Sequence, residues 1–326
     1  MLNQDQHSET EDKQGMEPQT GDPIDWRALE RLRTAFLEGT AGARDYWRQE
    51  QDLASYDATF AQRIGWKWDY VLGELKRRHW SPPAGDLLDW GCGSGIASRA
   101  FLDFFGGAAV PRLWYWDRSS LAVQYATTKA RQKYPGLQVT AGQPERAAVA
   151  LLSHVLTELE APQIEALADR MAALAQTILW VEPGTYEASL TLIAVRERLR
   201  GRLRVVAPCT HQERCGILQP GNEAHWCHYF ASPPPEVFTD PHWGKFAHLA
   251  GIDLRSLPLS FLVLDARPEE RTPAASSSPE ASETPPARPR RILGRPRIYK
   301  GFAMLLSSGA DGVGEHRLSK RRFPEQ

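Results

Sequence analysis

The stretch LLDWGCGSG, from Leu87 to Gly95, decides how the whole chain is read. A short apolar run carries an acidic residue, Asp89. Three glycines in alternation follow it, Gly91, Gly93 and Gly95, ahead of the helical pattern IASRAFLDFF from Ile96. This is a strand, a tight turn and a helix. Gly91 and Gly93 let the backbone turn sharply and approach a ligand, and Gly95 lets the helix lie close to the strand. The helix then presents its N-terminus to whatever the turn cradles. A dinucleotide site shares much of this. Its fingerprint, however, needs a small residue where this chain has Ile96, and a pyrophosphate is poorly served by a neighbouring carboxylate. Asp89 suits a ligand with a cationic part.

Outward from the turn, short apolar runs alternate with helical periodicity. Strands are expected from Asp86, up to Asp117, from Leu137, from Ala148 and up to Gly184, with helices from Ile96, Ser120, Gln163 and Tyr186. Apolar strands separated by amphipathic helices predict a doubly wound, mostly parallel α/β sheet covered on both faces. Asp117 ends the second strand about 20 residues past the turn, where an acidic side chain can accept both hydroxyls of a ribose. It can also cap the following helix. Gln143, after the third strand, can bond an adenine edge or serve as a polar turn residue. His154, after the fourth, lies at the carboxyl edge where open α/β sheets place ligands, or is a satisfied structural histidine.

The acidic-x-Gly-x-Gly-x-Gly pattern resembles that of class I methyltransferases, which bind the amino-acid end of S-adenosylmethionine there. The resemblance implies a Rossmann-like fold with a seven-stranded sheet. No catalytic residue stands out: the Asn/Asp-Pro-Pro-aromatic motif of amino-group methyltransferases is missing, and Cys92 reads as a small spacer. Methyl transfer can proceed by proximity and orientation, with the sulfonium supplying the driving force. A missing base is therefore no argument against turnover, and the acceptor stays unspecified.

The 326 residues, 42% hydrophobic and 24% charged with a net charge of -1, describe an ordinary soluble globular protein. No apolar run approaches the ~18 residues of a membrane helix, and the N-terminus is polar and acidic. A cytoplasmic protein without a membrane partner is expected. Residues 1–22 read as disordered and 23–83 as a helical region packing over the cofactor site. Residues 84–203 are the core, 204–241 a Cys-rich insertion and 242–266 the core continued. Residues 267–291 form a low-complexity linker, and 292–326 a final strand with a basic C-terminus. Two late strands, from Leu259 and Tyr299, are expected to close the sheet as an antiparallel pair.

Four cysteines are too few for a disulfide scaffold. Cys209, Cys215 and Cys227 fall within nineteen residues, interspersed with His211, His225 and His228. A segment without periodicity needs something to offset its ordering entropy. Three thiolates and a histidine suit zinc, three or four thiolates suit an iron-sulfur cluster, and buried free cysteines are the alternative. The chain's end is basic, with Arg288, Arg290, Arg291, Arg295, Arg297, Lys300, Arg317, Lys320, Arg321 and Arg322 against Asp311, Glu315 and Glu325. Such an end fits phosphate-backbone contact and makes nucleic acid the leading partner.

LLDWGCGSG, YWDRSS, SHVLTEL, VEPGT, APCTHQERCGI, WCHYF and HRLSKRR, in that order, resemble the methyltransferase-like family of small-ribosomal-subunit proteins of bacteria and mitochondria. The resemblance runs from about Trp66 to Arg322, and EPGT followed by APC and WCH is its specific part. It implies association with the small ribosomal subunit and its rRNA, in subunit assembly or translation. It also implies S-adenosylmethionine contacts from Asp89, Gly91, Gly93, Gly95 and Asp117, and an iron-sulfur cluster at Cys209, Cys215 and Cys227. The family pattern has a fourth cysteine near the final strand, where AMLLSSGADG from Ala303 offers only Ser307 and Ser308. Two other readings are an active methyltransferase on a non-ribosomal RNA, protein or small molecule, and a metal-dependent RNA-binding module without turnover.

Overall fold

The computed structural model describes residues 24–37, 45–268 and 289–319. The expected disordered N-terminus, most of the low-complexity linker, and Arg288, Lys320, Arg321 and Arg322 lie outside the described residues. Three helices precede the sheet: α1 (Trp26–Leu37), α2 (Glu50–Asp57) and α3 (Phe60–Arg77). The third buries Ile64, Trp68, Val71, Leu72 and Leu75, a stripe at helical spacing. There follow β1 (Leu87–Trp90), α4 (Ile96–Phe105), β2 (Arg112–Trp116), α5 (Ser120–Lys133), β3 (Gln138–Ala141), β4 (Ala147–Ser153), α6 (Ala161–Leu174), β5 (Ala175–Pro183) and α7 (Tyr186–Leu199). The remaining elements are β6 (Arg204–Ala207), β7 (Tyr229–Ala231), α8 (Pro241–Ala250), β8 (Leu257–Asp265), β9 (Arg291–Ile298), β10 (Phe302–Gly309) and β11 (Gly312–Ser319).

The main sheet has the order β3-β2-β1-β4-β5-β8-β6. Strands β1 to β5 pair in parallel, and β8 runs antiparallel to both β5 and β6. This is the doubly wound class I methyltransferase arrangement, with one reversed strand near its edge. Every residue of β1 is buried. Successive side chains point to opposite faces, so Leu87 joins a core with Trp68, Phe101 and Leu113, while Leu88 joins one with Ile178, Trp180 and Leu192. A strand covered on both faces must be apolar throughout, which is why Asp89 in its midst is informative.

Three features differ from the sequence reading. The segment from Arg204 is not wholly an insertion, because its first four residues are β6, a core strand too short to show a period. The sheet has eight strands instead of seven, since β7 and β6 share one edge of β8, pairing Tyr229 with Leu259 and Arg204 with Asp265. The strand after Tyr299 does not close the main sheet. It is the middle of a separate antiparallel sheet, β11-β10-β9, with Gly309 opposite Gly312 across the Ala310-Asp311 turn.

The small sheet and the cysteine segment pack as one unit against α3. A Cβ on Gly216 would lie 2.8 Å from the Gly312 Cα, so the two backbones touch where only glycines fit. Leu293 of β9 is buried in the main core. Arg291 reaches Glu74 Oε1 at 2.6 Å and Tyr70 Oη at 2.9 Å. Arg78 Nε donates to the same Glu74 oxygen at 3.0 Å, and its guanidinium caps the carbonyls of Val206, Pro208 and Cys209. One carboxylate thus joins helix, insertion and small sheet.

Burial works against the charged form of Glu74, yet Arg77, Arg291 and Arg78 outweigh it and bring its carboxyl from 4.5 to about 2. A depressed carboxyl stabilises the fold fully above its ordinary value and progressively less as pH falls toward 2. Replacing Glu74 by Ala leaves two half-buried guanidiniums without a counter-charge. We expect a loss of about 3 kcal/mol in denaturant unfolding at neutral pH. Glu74→Gln should flatten the stability curve between about pH 5 and pH 2, which acid titration of the melting temperature checks.

Candidate functional site

The strand order reverses between β1 and β4, and a crevice opens there beyond their carboxyl ends, as the topology of open α/β sheets demands. Its cavity of about 550 Å³ lies between the glycine turn, the loops after β2 and β4, and the N-terminal helices. That size falls within the range of ~300–1,000 Å³ for small-molecule sites.

Gly91, Gly93 and Gly95 all have positive φ, at 71°, 50° and 78°. A Cβ on Gly91 would sit 2.7 Å from Val155 Cγ1, and one on Gly95 would sit 2.9 Å from Tyr115 Oη and 3.0 Å from Ala126 Cβ. Only at Gly93 is there nothing within 4 Å, so this residue gives the cavity its open backbone wall. Asp117 lines the cavity. Its Oδ2 accepts from Gly93 N at 2.9 Å and its Oδ1 from Ser119 N at 2.9 Å, so it shapes the turn and holds the residue that precedes α5; the helix cap expected of it is not formed. Burial raises its carboxyl above the usual range, opposed by the Ser119 and Gly93 amides.

Asp89 is placed differently. It is fully buried behind the turn, outside the cavity lining, where Oδ2 accepts from Ser98 N at 3.1 Å and Oδ1 has no hydrogen-bond partner. Burial pushes its carboxyl up to about 7, against the opposing Ser98 hydrogen bonds. Gly95 also stands behind the cavity, and Gln143 lies outside its lining, with a buried Oε1 that has no hydrogen-bond partner. The structure therefore gathers Gly91, Gly93, Asp117 and His154 around one space and keeps Asp89, Gly95 and Gln143 off its walls.

His154 adopts φ 56°, a left-handed conformation rare for a side-chain-bearing residue and concentrated at functional sites. Its N–H donates to Val181 O at 2.9 Å, and its Nε2 lies 3.4 Å from Lys67 Nζ. Burial, then Lys67, hold the imidazole well below its ordinary value and therefore neutral. The loop carrying it is pinned by Glu182, whose Oε1 accepts from Val155 N, Leu156 N and Trp180 Nε1 at 3.0, 3.2 and 2.7 Å. Across the cavity Glu158 accepts from Tyr46 Oη at 3.0 Å and pairs with Arg118 at 3.3 Å; burial raises it to about 7.

Arg63, Lys67, Glu158 and Glu182 were not singled out from the sequence. For Lys67 a signal existed: it interrupts the apolar stripe of α3 between Ile64 and Trp68. A cation at a core-facing position is rare unless something uses it.

Cys209, Cys215 and Cys227 line one common cavity with Arg196, but its volume is about 30 Å³, roughly the share of one water in the liquid. Among the described residues no three His, Cys, Asp or Glu side chains are grouped to hold a metal. Cys227 Sγ lies 3.1 Å from Tyr229 Oη, and burial followed by Cys209 pushes its thiol to about 12. The serine at the expected fourth position, Ser307, accepts from Arg290 Nε at 2.9 Å. The donors as arranged do not fit the iron-sulfur cluster or zinc expected from the sequence. They fit buried thiols beside an arginine.

The basic end is also partly committed inside the fold. Arg290 pairs with Asp311, Arg291 with Glu74, and Arg297 with Glu315. Arg295, Lys300 and Arg317 are exposed and form no ion pair among the described residues. Beside them Tyr299 and Phe302 stack at 4.6 Å, with the Arg317 guanidinium 4.1 Å over the Phe302 ring. Arg295 covers Phe230 at 4.1 Å.

Three solved structures show distant likeness to the chain. A candidate RNA methyltransferase of Pyrococcus horikoshii has 10% identity and a TM-score of 0.37 over 63% of this chain and 83% of its own. An S-adenosylmethionine-dependent methyltransferase of Aquifex aeolicus has 15% and 0.34 over 49% and 90%. One of Clostridium acetobutylicum has 14% and 0.32 over 42% and 58%. The fold rests on the strand order above and not on likenesses this remote. No curated protein matches the chain. The sequence profile described as mitochondrial small ribosomal subunit Rsm22 matches residues 70–233, half of the chain, from the buried end of α3 through the glycine turn to β7, and the protein belongs to that family.

Proposed function

We propose that this protein binds S-adenosylmethionine in the cavity beyond β1 and β4 and acts on the small ribosomal subunit, with rRNA as its partner, in assembly or translation. The carrying observation is the single space bounded by the open backbone of Gly93, the Asp117 carboxylate and His154. In this reading Asp117 faces the ribose, Gly91 and Gly93 admit the ligand, and Asp89 and Gly95 hold α4 in place behind them. Gln143, with its unpaired buried Oε1, is the candidate for the adenine amino group. S-adenosylmethionine bound there supplies an electrophilic methyl group, and the walls keep water out and fix its orientation. The cysteines take no step in this reading. The setting we propose is the small ribosomal subunit, in the cytoplasm expected from the sequence or in the mitochondrion that the matched profile's description names; among the described residues no helix is long and apolar enough to cross a membrane.

Support for rRNA comes from the face of the small sheet, where exposed Arg295, Lys300 and Arg317 flank the stacked Tyr299 and Phe302. Guanidinium and ammonium groups meet phosphates, and an aromatic face accepts an unpaired base.

Calorimetric titration with S-adenosylmethionine tests the first half. Binding should weaken at least about tenfold in Asp117→Ala, which loses both the ribose acceptor and the Gly93 tether. No binding to the unaltered protein overturns the reading. For the second half, a variant with Arg295, Lys300 and Arg317 all changed to Ala should bind single-stranded rRNA segments with a log–log salt dependence shallower by about 2. Changing Arg297, already paired with Glu315, should alter that slope far less, and equal slopes for all variants would remove this face from consideration.

A further inference from the structure

Two cations on α3 line the cavity beside the glycine turn; Asp253 acts on Arg63 and Glu182 on Lys67, but among the described residues no carboxylate lies within ion-pair distance of either. Arg63 Nη2 donates to Ser256 O at 3.1 Å, and its Nη1 is buried without a hydrogen-bond partner. Lys67, one turn along, is 9% exposed, and its Nζ contact is the neutral His154 ring at 3.4 Å. Both side chains line the cavity beside Gly91 and Gly93, and neither forms an ion pair among the described residues. Burying a cation without an anion in direct contact is costly, so the arrangement suits a ligand that brings one. Asp89, expected to face a ligand's amino-acid end, stands behind the turn and leaves that wall to these two residues.

We propose that Arg63 and Lys67 form the subsite for a carboxylate of the ligand held at the glycine turn, and that Lys67 takes up a proton as the carboxylate arrives. The proposal rests on the reading of the cavity as an S-adenosylmethionine site, since the amino-acid end of that molecule carries the carboxylate. Without the ligand, burial and then Arg63 bring the Lys67 ammonium from 10.5 to about 7, with Glu182 opposing. An adjacent carboxylate favours the charged form and restores it.

Other titratable and charged groups surround Lys67 or share the cavity lining. On α3 there is Arg63, itself facing Asp253. After β4 comes His154, kept neutral by burial, and at the end of β5 Glu182, whose Oε1 accepts from three donors, whose Oε2 is buried without a hydrogen-bond partner, and whose carboxyl burial raises to about 7. Arg33 of α1, Asp117, Arg118 and Glu158 complete the charged lining. A lysine near 7 is mostly neutral at pH 8, so binding should take up the larger part of one proton there. Affinity should then fall close to tenfold between pH 8 and pH 9 and level off below about pH 6.

The test is calorimetric titration of S-adenosylhomocysteine at pH 8 in buffers of different ionisation enthalpy. The unaltered protein should take up more than half a proton. Lys67→Arg, which stays charged, should keep most of the affinity with uptake near zero, while Lys67→Met should lose the uptake and tenfold or more in affinity. Methylthioadenosine, the same nucleoside without the amino-acid end, should bind both variants as it binds the unaltered protein, with no proton uptake, and so reports that they are folded. If S-adenosylhomocysteine binds without uptake, or Lys67→Met retains it, this subsite is overturned while the cofactor reading stands. If adenosine monophosphate shows the uptake and S-adenosylhomocysteine does not, the carboxylate assignment falls. If neither adenosyl probe binds, both readings fall together.

Discussion

The carboxylate of Asp117 accepts one hydrogen bond from the turn after β1 and another from the start of α5, tying together the ends of two neighbouring strands. Three glycines with positive φ have few intrinsic reasons to settle in one conformation, since glycine loses the most freedom on ordering. The fixed acceptor at the end of β2 selects one. With the turn set, Gly95 can bring α4 against Tyr115 and Ala126, and the crevice at the strand reversal gains a defined wall. Sheet, turn and cavity are in this sense one construction with a side chain at its corner.

Much of this was readable from residue order. The strand and turn at Leu87 to Gly95, the alternation that follows, and Asp117 and His154 at strand ends all follow local rules of period and position. What was not readable depends on partners remote in sequence. Strands β6 and β7 have four and three residues and exist because β8 offers an open edge. The small sheet of β9, β10 and β11 reads as a basic tail because arginines crowd its sequence, while Leu293, Leu306 and Val313 are what join it to the main core. The cysteine spacing could not reveal that the three cysteines border one small cavity, of about 30 Å³, beside Arg196. Asp89 illustrates the limit of a motif: its place in the pattern was right, but the direction of its side chain is a tertiary fact.

The cavity's electrostatics follow from dryness more than from net charge. Burial is the leading influence on Lys67, His154 and Glu158 in the lining and on Glu182 behind it, and it moves each toward its uncharged form. Beside the fixed charges of Arg33, Arg63 and Arg118, these groups respond to what enters, because the cost of a proton gained or lost is small near neutrality. The aromatic pair Trp90 and Trp116, stacked at 4.5 Å, contributes apolar lining to the same space.

Helix α3 carries Arg63 and Lys67 on the cavity and Glu74 in the anchor of the small sheet, with Lys67 and Glu74 two turns, or about 10 Å, apart on one rigid rod. The helix is thus a common beam beneath two otherwise separate faces. A substitution that tilts it will disturb both, so parallel loss of small-molecule and RNA affinity in an α3 variant does not place the two ligands side by side. Genetic coupling between these faces is built into the framework, and separating them requires changes on the loops and strands that only one face uses.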